Sequence, residues 1–104
     1  MLEQIQRCFR RNRVLYTQHA QQEMRHEPRG RILDNEVFAA IDHAEIIEEY
    51  PDDMPYPSCL LFGRTSKDRP VHVVCTHVPE DDMAVVITVY EPDPERWIDF
   101  RRRL

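Results

Sequence analysis

Glycine is nearly missing from this chain: its 104 residues hold two, Gly30 and Gly63. A phosphate cradle needs several glycines in a short run, because its backbone amides must approach the anion closely. That class of nucleotide site is excluded. No apolar run approaches the length that spans a bilayer. The basic residues between Met1 and Arg13 are not followed by an apolar stretch, so no secretory signal is expected and a cytoplasmic, membrane-free setting is the expectation. Three cysteines, Cys8, Cys59 and Cys75, are an odd count without close spacing, which argues against a disulfide framework and a cysteine-based zinc site. Repeats, low-complexity segments and linkers are also lacking, so residues 1–104 are read as one domain.

Apolar residues make up 41% of the chain, enough for one core, and charged residues 32%. The net charge of −5 counts against nucleic acid, but it is unevenly spread. Residues 1–31 hold seven Arg and three Glu, net +4; residues 32–95 hold three basic and fifteen acidic groups, net −12; residues 96–104 hold four Arg and one Asp, net +3. A molecule with both termini on one side would be dipolar, with a basic side able to meet phosphates. The competing reading is a solvated helical surface laced with local ion pairs.

Leu2, Ile5 and Phe9 recur at helical spacing, which predicts an amphipathic helix over Leu2 to Arg11. Val14 to Tyr16 is a short extended or apolar break. Thr17 can cap a second helix, about Gln18 to Glu27, stopped near Pro28 and Gly30. Asp34 can cap a third helix through Asp42. The period then changes to that of strands, at Glu45 to Tyr50, Ser58 to Arg64, Val71 to Val78 and Ala84 to Tyr90. Pro51 to Pro57, with three prolines and two aspartates, must be a loop. Glu95 to Arg103 is predicted to close the chain as a helix, with Trp97 and Phe100 on one face and Arg101 to Arg103 at its end. The order predicts an α+β fold, with N-terminal helices packed on one face of a mainly antiparallel sheet of roughly four strands.

The last hairpin can be registered. A five-residue loop, Pro79 to Met83, pairs His72 with Tyr90, Val74 with Thr88 and Thr76 with Val86 on one face, and Val73 with Val89 and Cys75 with Ile87 on the other. The second set is apolar and should meet the helices. The first set carries His72, Thr88 and Tyr90 and is the natural polar site. Ile41, Ile47, Leu61, Val73, Val85, Ile87 and Val89 are expected to be buried.

Several segments resemble a known family in order and spacing. They are His19-Ala20, Glu23-Met24, Ile32, Ile46 to Pro51, Pro55 to Gly63, Arg69 to Val74 and Ile87 to Pro92. Together they resemble the domain-of-unknown-function family numbered 4258, over roughly residues 17 to 100. The resemblance implies an α+β fold akin to the barnase and RelE-like small RNases. It also implies a toxin–antitoxin setting, with RNA as substrate and a zinc-finger antitoxin as partner.

Metal-independent RNA cleavage needs a base, an acid and cations for the phosphorane charge. His72 fits the acid or base, His19 or Glu23 its counterpart, and Tyr90 a stacking or proton-donating role beside Thr88. Arg64, Arg69 or Arg25 can neutralise phosphate. The bland alternative makes His72 and Tyr90 a cross-strand pair on a half-exposed sheet and His19 a helix-surface residue. His19, Glu23 and His26 share a helical face and could hold a metal with help from His72 or His77, but they lack the His-Glu-x-x-His pattern of a zinc protease. No cofactor is expected. The leading expectation is an RNase-like toxin, and the alternative is a non-catalytic protein-binding module using the same groove or the acidic face around Glu80, Asp81 and Asp82.

Overall fold

A computed structural model describes all residues, 1–104. The chain is α+β, with three helices and a mixed sheet of five strands. No helix is long and apolar enough to cross a membrane. The order is α1 (Leu2–Arg10), β1 (Val14–Tyr16), α2 (Gln18–His26), α3 (Asp34–Asp42), β2 (Glu45–Tyr50), β3 (Ser58–Arg64), β4 (Pro70–Val78), β5 (Met83–Tyr90), β6 (Trp97–Ile98) and β7 (Arg102–Arg103). Across the main sheet the strands run β1-β5-β4-β3-β2.

Helix α1 buries Ile5, Cys8 and Phe9 and ends where Asn12 turns to φ 56°, a conformation asparagine tolerates better than most residues. The short extended or apolar break that follows is extended; its pairing as a fifth strand of the sheet was not foreseen, and it is parallel: Val14 to Tyr16 align with Ala84 to Val86. The sheet is therefore mixed and has five strands where roughly four were expected, with three of its four pairings antiparallel. Thr17 joins β1 to α2. Its amide donates to Val86 O, its hydroxyl donates to Ile87 O, and its hydroxyl oxygen accepts from Ala20 N at 3.0 Å as the helix cap. In α3 the cap position falls on Leu33 rather than Asp34, and Glu36 accepts the Leu33 amide. Gly63 lets β3 approach α3, since a Cβ there would overlap the Ala40 carbonyl.

The core gathers Ile5, Cys8, Ala20, Met24, Val37 and Ile41 from the helices against Leu61, Val71, Val73, Cys75, Val86 and Val89 of the strands. All three cysteines are buried and free. Strands β4 and β5 pair His72 with Tyr90, Val73 with Val89 and Val74 with Thr88, but then Cys75 meets Val86 and Thr76 meets Val85. Two departures from the expected register offset each other. The turn is one residue shorter, with Val78 opposite Met83, and Ile87 is an extra residue in β5. A second irregularity at Ile47 interrupts β2. Accordingly Ile41, Leu61, Val73 and Val89 are buried, whereas Ile47, Val85 and Ile87 are half-exposed.

The expected closing helix is also replaced. Asp99 and Phe100 take φ values of 53° and 60°, and the chain reverses into a small hairpin pairing Trp97 with Arg103 and Ile98 with Arg102. Arg101 pairs with Glu45, and Arg103 makes two hydrogen bonds, 2.7 and 3.1 Å, to Glu48, both carboxylates belonging to β2. These long-range tethers, with Trp97 buried beside His72, outweigh a local helical preference of the kind that tertiary contacts routinely override.

Candidate functional site

His72 lies on the sheet face that carries Leu60, Phe62 and Tyr90, and the terminal hairpin lies over it. The half-exposed ring expected there is instead fully buried, at 0% exposure. Its Nε2 is 2.7 Å from the Phe100 carbonyl. A carbonyl can only accept, so Nε2 carries the proton and Nδ1 accepts from the Tyr90 hydroxyl at 3.1 Å. Phe62, Tyr90 and Trp97 pack edge-on to the ring, with centroids 5.7, 5.2 and 4.6 Å away. Burial disfavours the imidazolium and pushes the His72 pKa down to about 4. The same effect pushes Tyr90 up to about 12. Every polar atom of the imidazole is satisfied, and the ring is neutral.

On α2, Glu23 has a structural task. Beyond β1 the edge of β5 is open, and Glu23 accepts the Val89 amide at 3.1 Å while Glu27 accepts the Glu91 amide at 3.3 Å. The helix thereby satisfies strand donors that would otherwise lack a partner. The same Glu23 oxygen lies 3.3 Å from Nε2 of His19, whose side chain is 66% exposed. Glu23 is near enough to Tyr90 for its charge to raise the phenol pKa. Thr88 is half-buried opposite Val74 on the Tyr90 face. The structure thus joins His19 to Glu23 and His72 to Tyr90, and no hydrogen bond links the two pairs.

The expected phosphate cations do not converge. Arg69 is a clamp, only 18% exposed, reaching Glu91 at 2.6 Å and Glu36 at 3.3 Å and donating to the carbonyls of Gly30 and Arg31. Arg64 is paired with Asp68 at 3.6 Å and stacks on Phe62 and Phe100. Arg25 alone of the three carries no ion pair, and it points into a different pocket.

That pocket, of about 380 Å³, is framed by β1, α2 and the segment before α3. Met24, Ile32 and Leu33 give it apolar walls, and Tyr16 donates to Asp34 at its side. Arg25 and Arg31 stand at it without carboxylate partners. Leu33 is 48% exposed, and Leu15 of the adjoining edge strand is also exposed. Arg25 was expected from the sequence as one of three candidate phosphate cations. Arg31 and the apolar walls were not expected, because three separate segments build the pocket. A larger cleft, of about 840 Å³, runs between the end of α2 and the terminal hairpin. Tyr90 and Trp97 line it, but its arginines are occupied: Arg29 and Arg96 face Asp93, and Arg103 holds Glu48. Glu27, Glu91 and Glu95 add further negative charge.

His26 does not join His19 and Glu23 in any cluster, and His77 lies elsewhere, 2.8 Å from Asp82. The grouping that does form, Cys8, His77 and Asp82, has its donor atoms within 4.8 Å of one another and was not foreseen. A cation already sits there: Arg7 is 2.7 Å from the same Asp82 oxygen that meets His77. The hydrogen bonds from His77 and Arg7 hold the Asp82 carboxyl at about 2, and burial raises the Cys8 thiol. The group fastens the β4–β5 turn to α1, with Asp82 in the left-handed region at φ 47°. Asp82 is therefore committed inward rather than presented with Glu80 and Asp81.

Compared with known families, the chain matches over residues 16–91 a family model described as Domain of unknown function (DUF4258). Neither the curated proteins nor the solved structures compared with it give a match.

Proposed function

For a chain that belongs to the DUF4258 family, whose description assigns no activity, we propose a function from the chain's own geometry: it is a non-catalytic protein-binding domain. One observation carries this reading. The pocket at β1 and α2 combines apolar walls with two unpaired arginines beside an exposed edge strand. Apolar contact gives such a site affinity, and the guanidinium groups select carboxylates. The occupant that fits is an extended acidic segment of a partner protein with one apolar side chain. The same-groove version of the idea is less suited, because the hairpin already fills the His72 face. A labelled peptide of sequence Glu-Asp-Leu-Asp-Glu is the probe. Binding by the wild type and its loss in Arg25→Glu/Arg31→Glu is the expected result in fluorescence anisotropy. Equal binding by both proteins, or none by either, counts against the pocket.

A second reading is an RNase-like toxin, and it is favoured by the exposed His19 held by Glu23 near Tyr90. In it, His19 takes the 2′-hydroxyl proton as the 2′-oxygen displaces the 5′-oxygen from phosphorus, Glu23 steadies the imidazolium, and the Tyr90 hydroxyl, positioned by His72, protonates the leaving 5′-oxygen. Cleavage of a mixed-sequence RNA in EDTA is the test. His19→Ala should then lose about two to four powers of ten in rate. An inactive wild type, in EDTA and with added zinc or manganese, eliminates the toxin reading.

A further inference from the structure

The most exposed large apolar side chain on the molecule is Met54, at 83%. It stands on the 51–57 loop between β2 and β3, directly after Asp52 and Asp53. The loop is held in shape at its base. Ser58 Oγ donates to Asp53 Oδ2 at 2.7 Å, the Met54 amide donates to Asp53 Oδ1 at 3.1 Å, and the Tyr56 hydroxyl donates to Glu80 at 2.7 Å. Asp52 makes no ion pair. A loop backbone fixed before any encounter loses little conformational freedom on docking, so the ordering cost falls on the Met54 side chain. Methionine also adapts to irregular apolar pockets.

At the other edge of the sheet is the complementary surface. Strand β2 forms one edge and β1 the opposite one, where Met24, Ile32 and Leu33 wall the pocket that Arg25 and Arg31 attend. We propose that the chain self-associates head to tail, the 51–57 loop of one copy seating Met54 in the pocket between α2 and the 31–34 segment of the next, with its aspartates facing Arg25 and Arg31. This rests on the reading of that pocket as a peptide acceptor and names one occupant for it. Charge complementarity within a single chain supports the choice: the 51–57 loop carries two aspartates and no cation, while Arg25 and Arg31 outnumber the one carboxylate, Asp34, at the pocket. Donor and acceptor lie at opposite sheet edges, so the contact is heterologous and can propagate. An interface of one loop is small, so the association is weak and salt-sensitive.

Sedimentation velocity of the full chain, up to about 1 mM and at low and high salt, reads the association. The mass average should rise with concentration at low salt and fall back with added salt. Met54→Asp removes the donor and leaves the acceptor; Arg25→Glu/Arg31→Glu does the reverse. Each should weaken association by about tenfold or more. Circular dichroism of each variant checks that it folds. Because each variant keeps one half of the contact, mixing the two should restore a one-to-one dimer that neither forms alone. A wild type that stays monomeric throughout, assembly that survives both variants, or a mixture without the dimer each overturns the inference. The Glu-Asp-Leu-Asp-Glu probe separates the failures. If it binds while the chain stays monomeric, the acceptor stands and self-association falls; if it does not bind and the chain stays monomeric, both fall.

Discussion

Strand β5 has a histidine near each of its flanks, and the two are handled in opposite ways. Under the terminal hairpin, His72 has no exposed surface, two hydrogen bonds, three aromatic neighbours and a pKa pushed down to about 4. On α2, His19 is 66% exposed and leans on one carboxylate that is itself occupied with the Val89 amide. The residue type is the same, and a sequence offers both for acid–base work. The surroundings decide: desolvation and satisfied hydrogen bonds make the first a part of the core, while the second is left free to act or to do nothing. The same contrast divides the arginines. Arg69, Arg101 and Arg103 are spent on carboxylates within the fold, while Arg25 and Arg31 are not.

The largest effect should come from His72→Ala. It opens a cavity among Phe62, Tyr90 and Trp97 and leaves the Phe100 carbonyl and the Tyr90 hydroxyl without their partner. A cost of about 3–4 kcal/mol in urea unfolding is expected, from cavity and lost hydrogen bonds together. A loss below about 0.5 kcal/mol would mean the ring is not sealed in solution. The cost follows from full burial, where the sequence placed His72 on a half-exposed sheet.

Acid should reach the same residue. Folded His72 titrates at about 4 against an ordinary 6.5, so between those values the unfolded chain binds the additional proton. Its contribution is complete above pH 6.5 and is lost as the pH falls toward 4. The displacement amounts to roughly 3 kcal/mol. Urea midpoints measured from pH 7 to pH 4 should fall in the wild type. In His72→Gln that part of the slope should vanish. A histidine resonance titrating near 4 by NMR identifies the group directly, and none below pH 5.5 would refute the burial.

Why was this half-hidden in the sequence? The strands β2 to β5 were legible because valine and isoleucine runs alternate with Pro and Asp loops, and the His72–Tyr90 pair followed from counting back along a hairpin. The count survived only because a turn one residue shorter was offset by the extra Ile87. Bulges leave no trace in a period-2 pattern until the register is known. Strand β1 was missed because three residues pair with a strand about seventy positions away, and nothing local signals that. The hairpin over His72 depends on Arg101 and Arg103 meeting Glu45 and Glu48, more than fifty positions apart. The His19–Glu23 pair was legible, since four-residue spacing on a helix suffices.

A smaller effect tests what keeps the hairpin in place. Arg103 makes a two-point contact with Glu48 and lies over Trp97, with its guanidinium carbon 4.7 Å from the ring centroid. The side chain is 61% exposed, so water and salt screen it. Arg103→Ala should cost about 1 kcal/mol. Its distinctive consequence is local. Hydrogen exchange of the Leu104 amide, which donates to Arg96 O, should quicken more than that of β4 and β5. Uniform acceleration across the sheet would mean that the hairpin and the core unfold as one unit.

The smallest stability effect belongs to His19→Ala, and for that reason it is the most informative about function. The ring adds one contact to a carboxylate that keeps its backbone partner without it, since Glu23 still accepts the Val89 amide. An exposed helix position of this kind should change stability by no more than about 0.5 kcal/mol. Any loss of a biochemical activity in this variant therefore cannot be charged to unfolding, whereas the same loss in His72→Ala can. Glu23→Gln completes the contrast. It keeps an acceptor for Val89 but removes the charge facing His19, so it too should cost little stability. If His19→Ala and Glu23→Gln leave binding of the acidic probe intact and no RNA cleavage exists to be lost, the exposed histidine is a surface residue and function resides at Arg25 and Arg31. A stability loss of about 2 kcal/mol or more in His19→Ala would instead erase the distinction between the two histidines.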